Sequence, residues 1–311
     1  MENRRKWVII SVAIGIIVNG VILYRYFDES TFHSLARIDK SLILVLFLVA
    51  LTGVLLESMR IKLLTSQLQI NLSLSDGAKI HLITAFGGYS TPMNAGDAPI
   101  FMFWGLCKKI KINKWFSILM IKNFLTKLAF LSFFVTSILL CNFTDTDVIG
   151  QVIFKIAAIS IIPSTIFSII VIYNFKFVEK VLCLMPKKIK DKWGNNSSLT
   201  MKKAMTHKVW IAYIFTVLYW LVYFCPPLII AIKMDLQINL LQLYIKQFLI
   251  YTTLPFSPMP GGSGVVELIY LSLFKNHVPA GELVVFILLC RMVTYYVPLI
   301  VGGVIATKEL K

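Results

Sequence analysis

Residues Leu254-Pro255-Phe256-Ser257-Pro258-Met259-Pro260-Gly261-Gly262-Ser263-Gly264-Val265-Val266-Glu267 break the middle of an apolar stretch that runs from about 238 to 275. Proline removes a backbone donor and glycine leaves the chain free to turn, so no continuous helix passes through this run. A second apolar stretch, 79–107, is broken in the same way by Thr91-Pro92-Met93-Asn94-Ala95-Gly96. In a bilayer, freed backbone N–H and C=O groups are tolerated only where protein or a water-filled cavity satisfies them. Both stretches therefore read as re-entrant hairpins, each made of two half-helices, with Pro92, Gly96, Pro258 and Pro260 as the breakers.

The rest of the chain fits that environment. Of 311 residues, 58% are hydrophobic and 15% charged, more apolar surface than a fold in water can hide. Runs long enough to span a membrane occur near 7–24, 41–60, 115–141, 149–173, 208–232 and 282–306. The first follows Arg4, Arg5 and Lys6 like a signal peptide, but it is long enough to span and lacks a small-residue cleavage site, so it reads as a retained anchor. The five cysteines lie singly in apolar surroundings and read as small hydrophobes, with no disulfide framework. The four histidines are too dispersed for a metal site, and no cofactor is expected. The net charge of +16 sits beside apolar spans, where anionic lipid headgroups rather than nucleic acid are the natural partner.

Basic residues orient the spans. With both termini cytoplasmic, 21 of the 31 Lys and Arg residues fall inside and five outside (Arg25, Arg37, Lys40, Lys233 and Lys275). The first hairpin then enters from the cytoplasm and the second from outside. Residues 1–148 (helices 7–24, 41–60, 115–141; hairpin 79–107) and 149–311 (helices 149–173, 208–232, 282–306; hairpin 238–275) form two halves with the same order of elements and opposite orientation. The expected fold is an all-α polytopic membrane protein of about six transmembrane helices plus two re-entrant broken hairpins, arranged as two inverted-topology repeats. Secondary transporters use this architecture, with half-helix ends meeting near the midplane. The segment 174–207, rich in lysine, reads as a surface-lying cytoplasmic helix and a flexible linker between the halves.

Ionisable groups inside hydrophobic spans cost roughly 2.5–3.5 kcal/mol each on insertion scales and need a partner, a cavity or a function. Here they are Glu57, Asp97, Lys122, Lys127, Lys155, Lys246, Glu267 and Arg291. Asp97 precedes Lys122 by 25 residues and Glu267 precedes Arg291 by 24, while Pro92 precedes Lys122 by 30 and Pro258 precedes Arg291 by 33. The spacing predicts two acid–base pairs, each joining a broken hairpin to the following helix. The cation attracts a lipid phosphate, and the carboxylate holds it in place or takes a proton. Mutual neutralisation that merely pins the hairpins is the plainer alternative. Candidate substrate-binding residues are thus Arg291, Glu267, Lys122, Asp97, Lys127, Asn94, Gly261, Gly262 and Gly264, the glycines adding backbone N–H groups. Lys127, without an obvious acidic partner, is assigned to the cavity wall. Lys155 is read as snorkelling and Glu57–Arg60 as a simple pair one turn apart.

Enzymatic motifs fail at the same glycines. A G-x-S-x-G elbow needs glycine where Val265 stands, and no Gly-Lys-Ser/Thr phosphate loop is present. Asp28 and Glu29, in the first outward loop, occupy a position where glycosyltransferases using polyprenyl-phosphate sugars keep acids, although a solvated loop charge explains them more simply.

The run from Leu254 to Glu267, followed by Arg291, resembles the flippase-like transmembrane family related to the membrane domain of lysylphosphatidylglycerol synthases. Pro92, Gly96 and Asp97 match the first hairpin of that family. Its following arginine is absent, and Ile121-Lys122 stands where an acid–arginine pair is common, so the first site departs from the pattern. The resemblance implies a lipid translocator that moves a polar or phosphate-bearing lipid, such as an aminoacylated phospholipid or a polyprenyl-linked carrier, between leaflets. No soluble aminoacyl-transfer domain lies within these residues, so a non-enzymatic role is expected. The alternatives are a membrane enzyme or accessory in polyprenyl-linked glycan or lipid modification, or a small-solute transporter. Expected partners are the lipid substrate, anionic headgroups, a lipid synthase or glycosyltransferase, and a second copy of the chain; the expected location is the cytoplasmic membrane of a prokaryote.

Overall fold

A computed structural model describes residues 38–140, 148–173, 206–275 and 278–310, with a few isolated positions between 17 and 36. The expected span 7–24, the Asp28-Glu29 loop and nearly all of the segment 174–207 lie outside the described residues. The described helices are α1 Lys40–Ser66, α2 Leu74–Tyr89, α3 Asp97–Cys107, α4 Ile112–Leu140, α5 Val148–Tyr173, α6 Lys208–Tyr223, α7 Pro226–Lys233, α8 Leu240–Thr253, α9 Val265–Phe274, α10 Ala280–Arg291 and α11 Val297–Glu309. No strand occurs among the described residues.

Among the described residues, five helical stretches are long and apolar enough to cross a membrane: Lys40–Ser66, Ile112–Leu140, Gly150–Ile172, Lys208–Lys233 and Gly281–Glu309. Their outward faces are apolar, with Phe47, Ile159, Trp210 and Ile300 each more than 60% exposed. Helices greasy on both faces need lipid on the outer one, so the chain is a multi-pass, all-α membrane protein.

Sequence detail shapes the ends and interruptions. Asp39 caps α1 by accepting the Leu42 amide at 2.7 Å. Ser73 and Asp76 form a capping box at the start of α2. The expected helix 208–232 is interrupted where Pro226 and Pro227 open α7, because neither can continue the hydrogen-bond ladder of α6. Five residues of π-helix, Met292–Tyr296, join α10 to α11.

The first broken stretch is a hairpin. Its two limbs, α2 and α3, pack on each other, and the carboxylate of Glu309 at the end of α11 ties both open ends, Lys79 at 2.7 Å and Lys108 at 2.9 Å. Gly302 lets α11 ride directly on the backbone of α2, since a Cβ there would run into the Leu82 carbonyl. In the second broken stretch, α8 packs against α5, while α9 packs against α10 and α5. The two breaks meet each other, and the Met93 amide donates to the Ser257 carbonyl at 3.0 Å.

Their turns share one backbone pattern. After Pro92, Met93 has φ 57°, ψ 18° and Asn94 has φ 54°; after Pro260, Gly261 has φ 57°, ψ 17° and Gly262 has φ 68°. Pro260, rather than Pro258, is therefore the counterpart of Pro92. Pro258 lies exposed in the loop before the turn, whereas Pro260 is buried at its first position and pre-sets the φ that the turn requires.

Candidate functional site: a charged cavity and a sealed ion pair

Among the described residues, a concentration of charged side chains comes together from four elements. Glu57 and Arg60 lie on the inner face of α1, His81 on α2, Asp97 at the start of α3, and Lys122 and Lys127 on α4. They surround a cavity of about 230 Å³, completed by Thr84, Asn94, Thr126, Tyr219 and Tyr251 among others. The cavity exists because the break at Pro92–Asn94 stops α2 short and restarts the chain as α3, whose first residue is Asp97.

Within it Glu57 is the hub. Its Oε1 accepts from Arg60 Nη2 at 2.7 Å and lies 3.8 Å from Lys122 Nζ. Arg60 reaches on to the hydroxyls of Thr126 at 3.3 Å and Thr216 at 3.2 Å. Two expectations are corrected by this arrangement. Lys122 pairs with Glu57 and not with Asp97, because α1 brings the Glu57 carboxylate within 3.8 Å of it and no Asp97 oxygen comes within ion-pair range. The Glu57–Arg60 pair is not a simple contact at a helix end: α1 continues to Ser66, and both side chains are 2% exposed in the cavity wall.

The remaining polar atoms are left unfilled. Glu57 Oε2, Arg60 Nε, Thr84 Oγ1 and Asp97 Oδ1 are buried without a hydrogen-bond partner, and all four belong to residues lining this one cavity. Buried polar groups are nearly always satisfied, so four orphans on residues that line one cavity mark a place where polar matter entering it completes their bonding. Lys127 lines the same void, and its ammonium makes no ion pair among the described residues.

The second charge pair is of a different kind. Arg291 Nε donates to Glu267 Oε1 at 2.9 Å; Glu267 Oε2 accepts the Gly264 amide at 2.7 Å. Arg291 Nη2 reaches the Gly261 carbonyl at 3.0 Å and Ser263 Oγ at 3.5 Å, and its guanidinium lies over the Tyr295 ring at 4.3 Å. Glu267 is 0% exposed and Arg291 5%. Pair, glycines and turn thus form one satisfied clamp that fixes the second break. Gly261 is needed there both for its positive φ and because a Cβ would collide with Tyr295.

A tyrosine layer separates the two groups. Tyr89 and Tyr223 join their hydroxyls at 2.9 Å, and the Tyr89 ring meets Tyr295 edge-on at 5.6 Å. Arg291 borders a void of only about 20 Å³ behind that layer, with Tyr89, Tyr223, Gln247 and Tyr251. Of the residues chosen from sequence, Asp97, Lys122, Lys127 and Asn94 share the charged cavity, whereas Arg291, Glu267, Gly261, Gly262 and Gly264 stand together outside it. Sequence reasoning missed His81, Thr84 and Tyr89. A histidine and a threonine on one face of a hairpin limb, one turn apart, were the available signal.

The family model of the lysylphosphatidylglycerol synthase TM region matches residues 8–302. A UPF0104 membrane protein from Archaeoglobus fulgidus is 23% identical over 321 residues, covering 97% of this chain and 96% of its own length. The chain belongs to the family of the lysylphosphatidylglycerol synthase transmembrane region.

Proposed function

We propose that this protein is a lipid translocator that takes a polar, phosphate-bearing headgroup into the cavity between α1, α2, α3 and α4. The observation that carries the proposal is the cluster of orphaned polar atoms on residues that line this cavity together with Lys127, which makes no ion pair among the described residues, between helices whose outer faces are apolar. A headgroup phosphate would meet Lys127 and Lys122, and its donors would meet Asp97 Oδ1 and Glu57 Oε2. An aminoacylated phospholipid and a polyprenyl-linked carrier both have the required groups. The family name, which refers to a lipid synthase, favours lipid over water-soluble cargo.

The two breaks supply the means of movement in this reading. Their identical proline-led turns, joined through Met93 and Ser257, support two inverted repeats with re-entrant hairpins whose exchange of conformation alternates access. The sealed Arg291–Glu267 clamp then positions the second hairpin instead of binding cargo. Both termini face the cytoplasm in this arrangement, and a lipid synthase or glycosyltransferase would supply the substrate.

Binding of a panel of short-chain lipids with different headgroups, measured by native mass spectrometry on the purified protein, tests the site. Selective retention of phosphate-bearing lipids, reduced at least tenfold in Lys127→Met and Asp97→Asn, is expected. Equal retention in wild type and both variants would refute the assignment.

A further inference from the structure

Alongside the charged cavity lies an apolar groove of about 300 Å³ between α1 and the π-turn and α11. We infer that this groove is the port for an acyl chain of the translocated lipid, so that the substrate straddles two compartments: headgroup in the charged cavity, chain in the groove. The inference rests on the headgroup reading above and adds the route by which lipid enters.

Continuity comes first. His81, Ala85, Tyr89 and Tyr219 line both spaces, so one wall of side chains has the charged cavity on one side and the groove on the other. A ligand with a polar end and an apolar end matches that junction, and a free ion or sugar does not. Composition is the second argument. No Asp, Glu, Lys or Arg lines the groove, and its Thr294 hydroxyl is already spent on the Cys290 carbonyl at 2.8 Å. The polar side chains that do line it, His81, Tyr89, Tyr219 and Tyr223, stand on the walls toward the charged cavity and the tyrosine layer, so an occupant gains chiefly from burying apolar surface.

Direction is the third. The mouth is edged by Phe47 and Leu51 on α1 and by Val297 and Val301 on α11, all more than 40% exposed on the apolar outer surface. The groove thus opens sideways, where lipid tails are. Its width follows from local structure. Gly53 and Ala50 keep the wall of α1 thin, and the π-helical turn at Met292–Tyr296 displaces Val293 and Thr294 from a regular helical register. A Cβ built on Gly53 meets a single atom, Tyr219 Cε2, at 3.9 Å, so there is open space in which a larger side chain would sit.

That space suits the test, because leucine is a better helix former than glycine and its Cβ meets no backbone of a neighbouring helix. Proteoliposomes are loaded with a phospholipid bearing a diazirine in its acyl chain, irradiated, and the labelled residues mapped. In parallel, binding of deacylated glycerophospho compounds is measured by calorimetry. The expected result is label on Val54, Val293 or Val297. Gly53→Leu should lower both labelling and lipid movement at least tenfold and leave glycerophospho binding within twofold, with Gly53→Ala close to wild type. Label confined to other helices, or normal movement by Gly53→Leu, overturns the port. Protection of the groove by residues 7–24 or by a second copy, shown by crosslinks from a Phe47→Cys variant to those segments, overturns it as well. Glycerophospho binding that persists while the acyl label falls elsewhere removes the port and leaves the headgroup site. Groove labelling without any glycerophospho binding does the reverse.

Discussion

Lys122 Nζ sits 3.8 Å from Glu57 Oε1, on the carboxylate that Arg60 already holds at 2.7 Å. One acid therefore serves two cations, and Asp97, the partner that chain spacing suggests, is left with a buried oxygen that has no hydrogen-bond partner. The cavity carries more positive than negative charge when empty, which is the condition for drawing in an anionic group.

Removing the hub exposes its structural share. Glu57→Gln leaves Arg60 and Lys122 buried without a counter-charge, and breaking a buried pair in this way costs about 3–5 kcal/mol. Thermal unfolding in detergent should show a marked loss for Glu57→Gln, partly recovered in Glu57→Gln/Lys122→Met. Additive losses in the double variant would mean that the two side chains do not interact.

The clamp and the cavity should separate experimentally. Arg291→Met strands Glu267 and the Gly261 carbonyl, so its main effect is on stability, of a similar order of about 3–5 kcal/mol. Lys127→Met removes a cation that pairs with nothing among the described residues and should leave stability unchanged or raise it, while lipid binding falls. Comparing midpoints of unfolding with lipid retention for both variants checks the division of roles.

The two turns make opposite predictions for glycine. Met93 holds φ 57° with a full side chain, a conformation costing about 1–2 kcal/mol for an L-residue, against about 0.5–1 kcal/mol of added chain entropy if glycine replaces it. Met93→Gly should therefore be neutral to slightly stabilising. Gly261→Ala, which drives a Cβ into Tyr295, should be strongly destabilising. Melting temperatures of the two variants decide the point.

Outside the spans, Asp39 carries a pH dependence. The Leu42 amide, then the Ser41 hydroxyl, hold its carboxyl below the ordinary value of 3.8. Its capping contribution is thus fully present above pH 3.8 and is lost as pH falls through the lower folded value. The stability difference between wild type and Asp39→Ala should be visible at pH 7 and shrink on acidification below 3.8. A difference independent of pH would rule out the charged cap.

Much of this organisation is legible in the chain. Proline and glycine clustered together in the middle of an apolar stretch stop a helix, whereas the lone Pro163 lies within α5 without ending it, so both breaks can be read directly, as can five of the spans. The Arg291–Glu267 contact follows from similar reasoning, since a charged pair that costs so much apart has to meet. What spacing hides is rotation about helix axes. Asp97 and Lys122 repeat the Glu267–Arg291 interval closely, yet Glu57 intervenes from a helix that is distant in sequence. The counterpart of Pro92 is likewise obscured: the left-handed residue after it is Met93, without the glycine signature that marks Gly261. The groove leaves almost no sequence trace, because it consists of what Gly53, Ala50 and Ala85 lack.

The most direct test of the central claim is leaflet-resolved lipid movement in proteoliposomes, with fluorescent lipids of several headgroups and wild type compared with Lys127→Met and Asp97→Asn. The account predicts headgroup-selective movement by wild type that falls at least tenfold in both variants while each remains folded. Movement no faster than in protein-free liposomes for every lipid, or full activity in both variants, would contradict it.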